Sequence, residues 1–258
     1  MAESRLRRAS WLTATAALLL LAAPSMAAAG DAVDVVDADA SAAPGLAVPL
    51  HEAIYHASVR RVPVRAGLRL EKQDNRLFTY RSWVEPRGML GFIRRELSEV
   101  SLMMLDGEGA ILPISYRKRD ELSGRDSDMR FDHAGGKVHI DYRGEQNTVD
   151  WEPGIYDLLS LRLVIAHDFA RGALQEVYRV VDDRGRVEEV DVEIAGHETL
   201  STQLGELETV RLEYRNRRRD RLFKLWIAPE MDAALVRLEQ YEGGRLRGSL
   251  NIVEYRRL

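Results

Sequence analysis

The chain contains no cysteine among its 258 residues. Disulfide bonds, thiolate zinc sites and cysteine nucleophiles are therefore excluded. We also expect no lipoprotein anchor, because the lipid of such an anchor is attached to a cysteine at the cleavage point.

Several signals of catalysis and of nucleic-acid binding are missing as well. The chain has no Gly-x-Ser-x-Gly motif, and Ser160 has no evident base partner. A formal net charge of −4 argues against general nucleic-acid binding. We interpret the carboxylate pairs 182–183 and 188–189 as solvated charges rather than as an acid/base pair. We therefore predict no catalytic residues, no cofactor and no enzymatic activity.

The N-terminal segment has the parts of a secretory signal peptide. Three arginines between positions 5 and 8 precede an apolar run over residues 11–23, and a small-x-small sequence ends at Ala27. The apolar run is shorter than the roughly 20 residues that cross a bilayer, and no second run reaches that length. We predict a signal peptide over residues 1–29, which is either cleaved after Ala27, Ala28 or Ala29 or retained uncut as an anchor. The mature protein is expected in the periplasm without a transmembrane span.

Residues 30–49 are predicted to form a disordered linker. They are rich in alanine and aspartate, and they include no basic residue. Such a segment has too little bulky apolar surface to offset the entropy of ordering. Residues 50–258 are predicted to form a single β-rich domain, which is long but within the range of all-β domains.

Apolar and polar residues alternate with period two from about residue 51 onward, which is typical of half-buried strands. A short helical turn is predicted over residues 89–95. The predicted strands cover residues 54–61, 66–72, 77–84, 98–105, 110–118, 129–131, 137–142, 190–194, 210–215, 223–227 and 246–252.

One segment has helical spacing instead. Apolar residues recur at three- and four-residue intervals between residues 154 and 171, and Gly172 is suited to end a helix. The pattern predicts a mainly β fold. We expect an antiparallel, strongly curved sheet, or an open or closed β-barrel, with this helix packed on or in it.

Histidine and aspartate spacing leaves a metal site as one interpretation. His139 and Asp141 lie on one face of a predicted strand, and His133 lies across the same hairpin. Zinc needs three or four converging ligands. The other interpretation, which we favour, is that these are solvated hairpin residues, so no metal site is predicted.

Four aromatic residues are candidates to line a ligand cavity: Trp83, Trp151, Tyr178 and Trp226. Trp226 falls on the polar side of the alternation in its strand. It either lines a concave, ligand-binding face or fills the interior of the fold.

A basic run at a hairpin tip is a candidate contact for anionic surfaces, such as lipid headgroups. The alternative is a solvated loop that is balanced by neighbouring acidic strands. The run comprises Arg215, Arg217, Arg218, Arg219 and Arg221.

The order of several short motifs resembles an exported bacterial family, the domain of unknown function 3108. The resemblance covers about residues 51–258 and implies a strand-rich exported protein without an established activity. The pattern is also similar, more loosely, to the half-closed barrels that carry lipoproteins through the periplasm. The motifs are Leu112-Pro113-Ile114-Ser115-Tyr116, Arg130-Phe131-Asp132, Asp157-Leu158-Leu159-Ser160-Leu161-Arg162, Gly196-His197-Glu198-Thr199-Leu200, Leu204-Gly205-Glu206-Leu207-Glu208-Thr209 and Trp226-Ile227-Ala228-Pro229-Glu230.

These observations favour a non-enzymatic binding or carrier module for an amphipathic or lipid-like ligand. In this hypothesis the curled sheet buries an apolar chain and the helix acts as a lid or plug. A second hypothesis is a structural or protein-interaction module of the cell envelope, which contacts a partner protein through edge strands or the arginine-rich tip. A hydrolase with an unrecognised site is the least favoured of the three.

Overall fold

The computed structural model describes residues 45–258, apart from residues 60, 61, 87–96, 122, 217, 219 and 233. The predicted signal peptide, most of the predicted linker and the predicted turn over residues 89–95 therefore lie outside the described residues.

Fifteen strands and one long helix make up the described fold. The strands are β1 (His51–Val59), β2 (Val62–Lys72), β3 (Leu77–Pro86), β4 (Leu97–Leu105), β5 (Ile111–Asp120), β6 (Ser127–Asp132), β7 (Lys137–Tyr142), β8 (Glu145–Asp150), β9 (Ile155–Tyr156), β10 (Val177–Val181), β11 (Val187–Thr202), β12 (Gly205–Asn216), β13 (Arg221–Ala228), β14 (Ala234–Glu242) and β15 (Arg245–Arg257). Every predicted strand is confirmed over its described residues, with bounds that differ by up to eight residues, the largest difference being at the end of β11. Residues 60 and 61 of the strand predicted over 54–61 lie outside the described residues.

All fifteen strands belong to one curved sheet, which is not closed. Its order is β8-β7-β6-β5-β4-β3-β2-β1-β15-β14-β13-β12-β11-β10-β9, so the first and last strands meet near the middle. Neighbouring strands are consecutive in sequence everywhere except at the β1–β15 pair. The pairing is antiparallel, as predicted, with one exception: β9 and β10 run parallel, because the helix connects them.

The helix α1 (Ser160–Ala170) begins later than the predicted residue 154, because residues 155–156 form β9 instead. It ends near the predicted position, where Gly172 adopts a positive φ of 67°. All eight residues from Ser160 to His167 are buried. A helix that is buried on every side is enclosed by the rest of the fold, so α1 lies in the curved sheet rather than on it.

Alternate residues of each strand point into this enclosed core. On β4, the residues at 97, 99, 101, 103 and 105 are buried, and those between them are only half-buried.

Pattern reading missed β8, β10 and β14 as well as the short β9. β14 is buried on both faces and lacks the alternation, whereas β8 is almost entirely polar and exposed.

An ion pair lies deep in the core, between the helix and the sheet. The Arg162 guanidinium is 3.3 Å from Glu99 on β4, and their side chains are only 1% and 3% exposed. Glu99 also accepts hydrogen bonds from the Tyr116 hydroxyl at 2.7 Å and from the Ser82 hydroxyl at 3.1 Å. Because every buried charge needs compensation, these contacts fix the rotation of α1 against β3, β4 and β5.

A second buried pair joins the two halves of the sheet. The Lys118 ammonium on β5 donates to Asp183 in the β10–β11 turn at 2.6 Å. The Asn147 side chain on β8 donates to the Arg184 carbonyl of the same turn at 3.3 Å. The sheet is therefore curved enough for this turn to contact β5 and β8, although no backbone pairing between strands closes it.

The interpretation of residues 182, 183 and 188 as solvated charges is wrong. Asp182 is buried and accepts the backbone N–H groups of Arg184 and Arg186, which is typical of a tight turn. Asp183 pairs with Lys118, and Glu188 accepts a hydrogen bond from Asn216 at 2.7 Å. Sequence adjacency did not reveal these partners, which lie up to 65 residues away along the chain.

We predict that Arg162→Met destabilises the protein by about 3–5 kcal/mol at pH 7, because it leaves the Glu99 carboxylate buried without its cation. Burial alone raises the pKa of Glu99, but Arg162, Lys118 and the two hydroxyl groups lower it below its ordinary value of 4.5. The stability from this pair is therefore present above pH 4.5 and lost as the pH falls through the lowered pKa.

The measurement is the free energy of unfolding in urea at pH 7 and at pH 4. The loss caused by Arg162→Met should be smaller at pH 4, where an unpaired Glu99 can take up a proton. The double variant Arg162→Met, Glu99→Gln should recover part of the stability at pH 7. Equal losses at both pH values, or a double variant no more stable than the single one, would contradict the role of this pair.

Candidate functional site

The outer face of strands β3 to β8 carries a groove with a volume of about 880 Å³. This face is opposite to the one that packs on α1, because side chains alternate along each strand. The helix fills the space that the sheet encloses. The groove lies on the other face of the sheet and is open to solvent.

Two parallel rows of cross-strand neighbours form the groove. The strand register places the members of each row directly opposite one another on successive strands. Such neighbours lie about 4.5–5.5 Å apart at Cβ. We call them the upper row and the lower row. The upper row is Arg81, Val100, Arg117, Asp128, Asp141 and Gln146; the lower row is Leu102, Ser115, Arg130, His139 and Thr148.

The acidic side chains of the groove already have partners. Asp128 is 3.0 Å from the Arg117 Nε and 2.8 Å from the Arg119 Nη2. Asp141 accepts the backbone N–H of Gly144 at 2.9 Å, which holds the β7–β8 turn. Neither carboxylate forms an ion pair with Arg81 or Arg130.

Two guanidinium groups of the groove have no such partner. Arg81 and Arg130 are exposed, and neither forms an ion pair or side-chain hydrogen bond with any other residue in the described part of the chain. Between them lie Val100 and Leu102, which are half-buried and apolar. The groove thus combines unpaired positive charge with an apolar floor.

The histidine and aspartate residues of the candidate metal site do not converge. His133 makes a 2.8 Å hydrogen bond to the Pro113 carbonyl, and its ring packs at 4.4 Å against Trp151. His139 lies instead in the groove, 3.4 Å from the Thr148 hydroxyl. Within residues 45–258, gaps excepted, no group of three or more histidine, aspartate or glutamate side chains is placed to hold a metal ion.

The four candidate aromatic residues lie in different environments, and none of them lines the groove. Trp151 is half-buried and donates its indole N–H to the Ile155 carbonyl at 3.2 Å. Tyr178 is buried and donates to Asp168 at 2.9 Å. The first contact is local to the segment before α1, and the second ties the segment after α1 to the helix.

The other two aromatic residues pack on the outer face of the sheet. Trp226 is 5% exposed, lies opposite Arg211 and is covered by the Arg237 guanidinium, 5.0 Å from its ring centre. Trp83 lies over Gly67 on the neighbouring strand, one row from the groove. The prediction that these side chains contact a ligand stays a prediction.

The arginine-rich tip is only partly described, because Arg217 and Arg219 lie outside the described residues. Arg221 pairs with Glu242 at 3.2 Å, and Arg215 lies 3.7 Å from Glu213. Arg218 is exposed. Partial neutralisation by acidic neighbours agrees with the solvated-loop interpretation, while contact with an anionic surface stays a prediction.

Sequence reasoning did not single out Arg81 or Arg130 as site residues. Alternation could have placed Arg130, His139 and Asp141 on one face of a hairpin. It could not have shown that Arg130 lacks a carboxylate partner, because that depends on the register between strands.

The fold and the groove define a class of protein: a mainly β, open barrel-like protein with a helix-filled interior and a cationic groove on its outer face. Residues 57–244 match the model of the family described as protein of unknown function (DUF3108). The chain belongs to this family, which confirms the resemblance seen in its motifs.

A solved structure shares the fold at low sequence identity. A Brucella abortus protein, a beta-barrel-like domain of unknown function DUF1849, aligns with a TM-score of 0.50 and 12% identity, over 82% of this chain and 98% of its own. A Bacteroides fragilis protein of YmcC-like fold, labelled as exported, aligns with a TM-score of 0.35 and 10% identity, over 81% and 100% of the two chains. No curated protein matches this chain.

A Parabacteroides distasonis protein labelled as a lipoprotein also aligns, with a TM-score of 0.29 and 12% identity, over 81% of this chain and 95% of its own. Among the described helices, none combines the length and apolar character needed to cross a bilayer.

We predict that Gly67→Ala destabilises the protein by about 1–3 kcal/mol, because a Cβ at this position would overlap the Trp83 ring. The measurement is a double-mutant cycle in urea with Trp83→Leu. In the Trp83→Leu background, the cost of Gly67→Ala should fall substantially, since the smaller side chain leaves room. An unchanged cost would show that Trp83 does not pack on Gly67.

Proposed function

We propose that this protein is an exported, non-enzymatic binding protein that takes an amphipathic anion in the groove on its outer face. The observation that supports this function best is the pairing of two unpartnered guanidinium groups, Arg81 and Arg130, with the apolar floor of Val100 and Leu102. An anionic group would be bound by one of these guanidinium groups beside the floor, and an apolar chain would cover Val100 and Leu102.

The groove supports this function better than the interior does. Burial of an apolar chain inside the sheet would require the enclosed space to be empty. That space holds α1, whose residues from Ser160 to His167 are buried, together with the Arg162–Glu99 pair. A ligand there would have to displace a packed helix and separate a buried ion pair. The helix therefore acts as a plug in this proposal, and the ligand lies outside it.

The proposal includes export to the periplasm, which is supported by the arrangement of basic residues, apolar run and small residues before position 30. Expression of the full chain in a Gram-negative host should give a periplasmic product that starts at residue 28, 29 or 30. The measurement is the intact mass of the periplasmic fraction. A full-length product of 29.2 kDa that stays in the cytoplasm would contradict export.

We predict that the mature protein binds 1-anilinonaphthalene-8-sulfonate, an amphipathic anion whose fluorescence rises in apolar surroundings, and that Leu102→Asp abolishes most of this binding. The introduced carboxylate would place negative charge in the apolar floor, next to the position of the ligand. The measurement is a fluorescence titration of the folded protein.

The matched control is Leu112→Asp, since Leu112 is a half-buried leucine on the adjacent strand that does not line the groove. This control should bind the dye like the unmodified protein. If the unmodified protein does not bind the dye, or if both variants lose binding equally, the groove is not a binding site for amphipathic anions. The structural or interaction module of the envelope would then be the better account.

A further inference from the structure

The lower row of the groove has a composition that differs from that of the rest of the outer face. From β5 to β8, its members are Ser115, Arg130, His139 and Thr148, each directly opposite the next. All four carry hydrogen-bond donors, and none is a carboxylate. Arg130 lies between Ser115 and His139, so one anion above its guanidinium group can contact these three side chains. The Thr148 hydroxyl lies 3.4 Å from the His139 Nδ1 and contacts that ring instead.

The charges around this row leave Arg130 as its cationic centre. The nearest carboxylates on this face are Asp128, Asp132 and Asp141, and none of them forms an ion pair with Arg130. Asp128 pairs with Arg117 and Arg119, while Asp132 and Asp141 accept the backbone N–H groups of Gly135 and Gly144. In most of the outer face, by contrast, arginines pair with acidic side chains, as Arg69 does with Glu71 at 2.7 Å. The planar fork of an unpaired arginine suits two oxygen atoms of one anion.

The same row continues into the apolar floor. Leu102 on β4 is the neighbour of Ser115, and Val100 lies beside it in the upper row. Donor side chains on β5 to β8 thus adjoin aliphatic side chains on β4, and Arg81 lies beyond these on β3. A bound molecule would be oriented by this order.

We propose that Ser115, Arg130 and His139 form an oxyanion subsite that binds a phosphate-type headgroup, with Thr148 holding the His139 ring and the attached apolar chain lying over Val100 and Leu102. This inference rests on the proposed function and specifies its ligand as a phosphate ester with an apolar chain. A lipid headgroup and free phosphate share this chemistry, so the test must separate the two.

The experiment measures binding of three probes to the mature protein by titration calorimetry: decyl phosphate, decanol and inorganic phosphate. The variant is Arg130→Gln, which removes the charge from an exposed side chain and keeps its polarity. The control is Arg245→Gln, since Arg245 is also exposed but lies on β15, outside the groove. Circular dichroism checks that all three proteins keep the same fold.

We expect decyl phosphate to bind the unmodified protein more tightly than decanol and more tightly than inorganic phosphate. Arg130→Gln should weaken decyl phosphate binding about ten-fold or more, leave decanol binding unchanged and leave the protein without a preference for the phosphate headgroup. Arg245→Gln should change none of the three affinities.

Other results separate the subsite from the proposed function. Equal binding of decanol and decyl phosphate by the unmodified protein would overturn the oxyanion subsite and keep the amphiphile-binding function. If inorganic phosphate binds as tightly as decyl phosphate, and if this binding depends on Arg130, the subsite is supported. The proposal that the ligand is amphipathic is then overturned. Equal losses in Arg130→Gln and Arg245→Gln would show that only general positive charge attracts the anion.

Discussion

The burial of one arginine on the helix constrains the whole domain. The Arg162 guanidinium is almost fully removed from water, and a buried charge is tolerated only when it is paired and hydrogen-bonded. Its partner, Glu99, is held in turn by Tyr116 and Ser82. The helix can therefore take only one position within the curved sheet, and the strands that carry these partners must surround it.

This constraint leaves only the outer face of the sheet for the candidate site. Because helix and ion pair fill the enclosed side, the inner face of the sheet is committed to stability. The outer face of β3 to β8 is left with side chains whose partners are incomplete, Arg81 and Arg130 above all. The filled interior is the reason that the groove, rather than a cavity, is the candidate site.

Much of the fold could be predicted from the residues, and the failures have physical causes. Strands with one wet face, such as β12, show their alternation directly. β14 does not, because both of its faces are buried, and β8 does not, because nearly all of its side chains are polar. The helical spacing starts too early because the apolar residues of β9 continue it. Nothing in the local sequence distinguishes Asp183 from a solvated charge, because its partner Lys118 is 65 positions away in the chain.

The amino-acid sequence by itself determined the strand-rich architecture, the single helix and its end at Gly172, because local alternation and backbone preferences are properties of neighbouring residues. It also carried the motifs that place the chain in its family. Only the tertiary structure decided that the helix fills the sheet, which carboxylates are buried, and which arginines face a common groove without a partner. These features depend on strand register and on contacts between distant segments, and one residue of slip would turn each side chain to the opposite face.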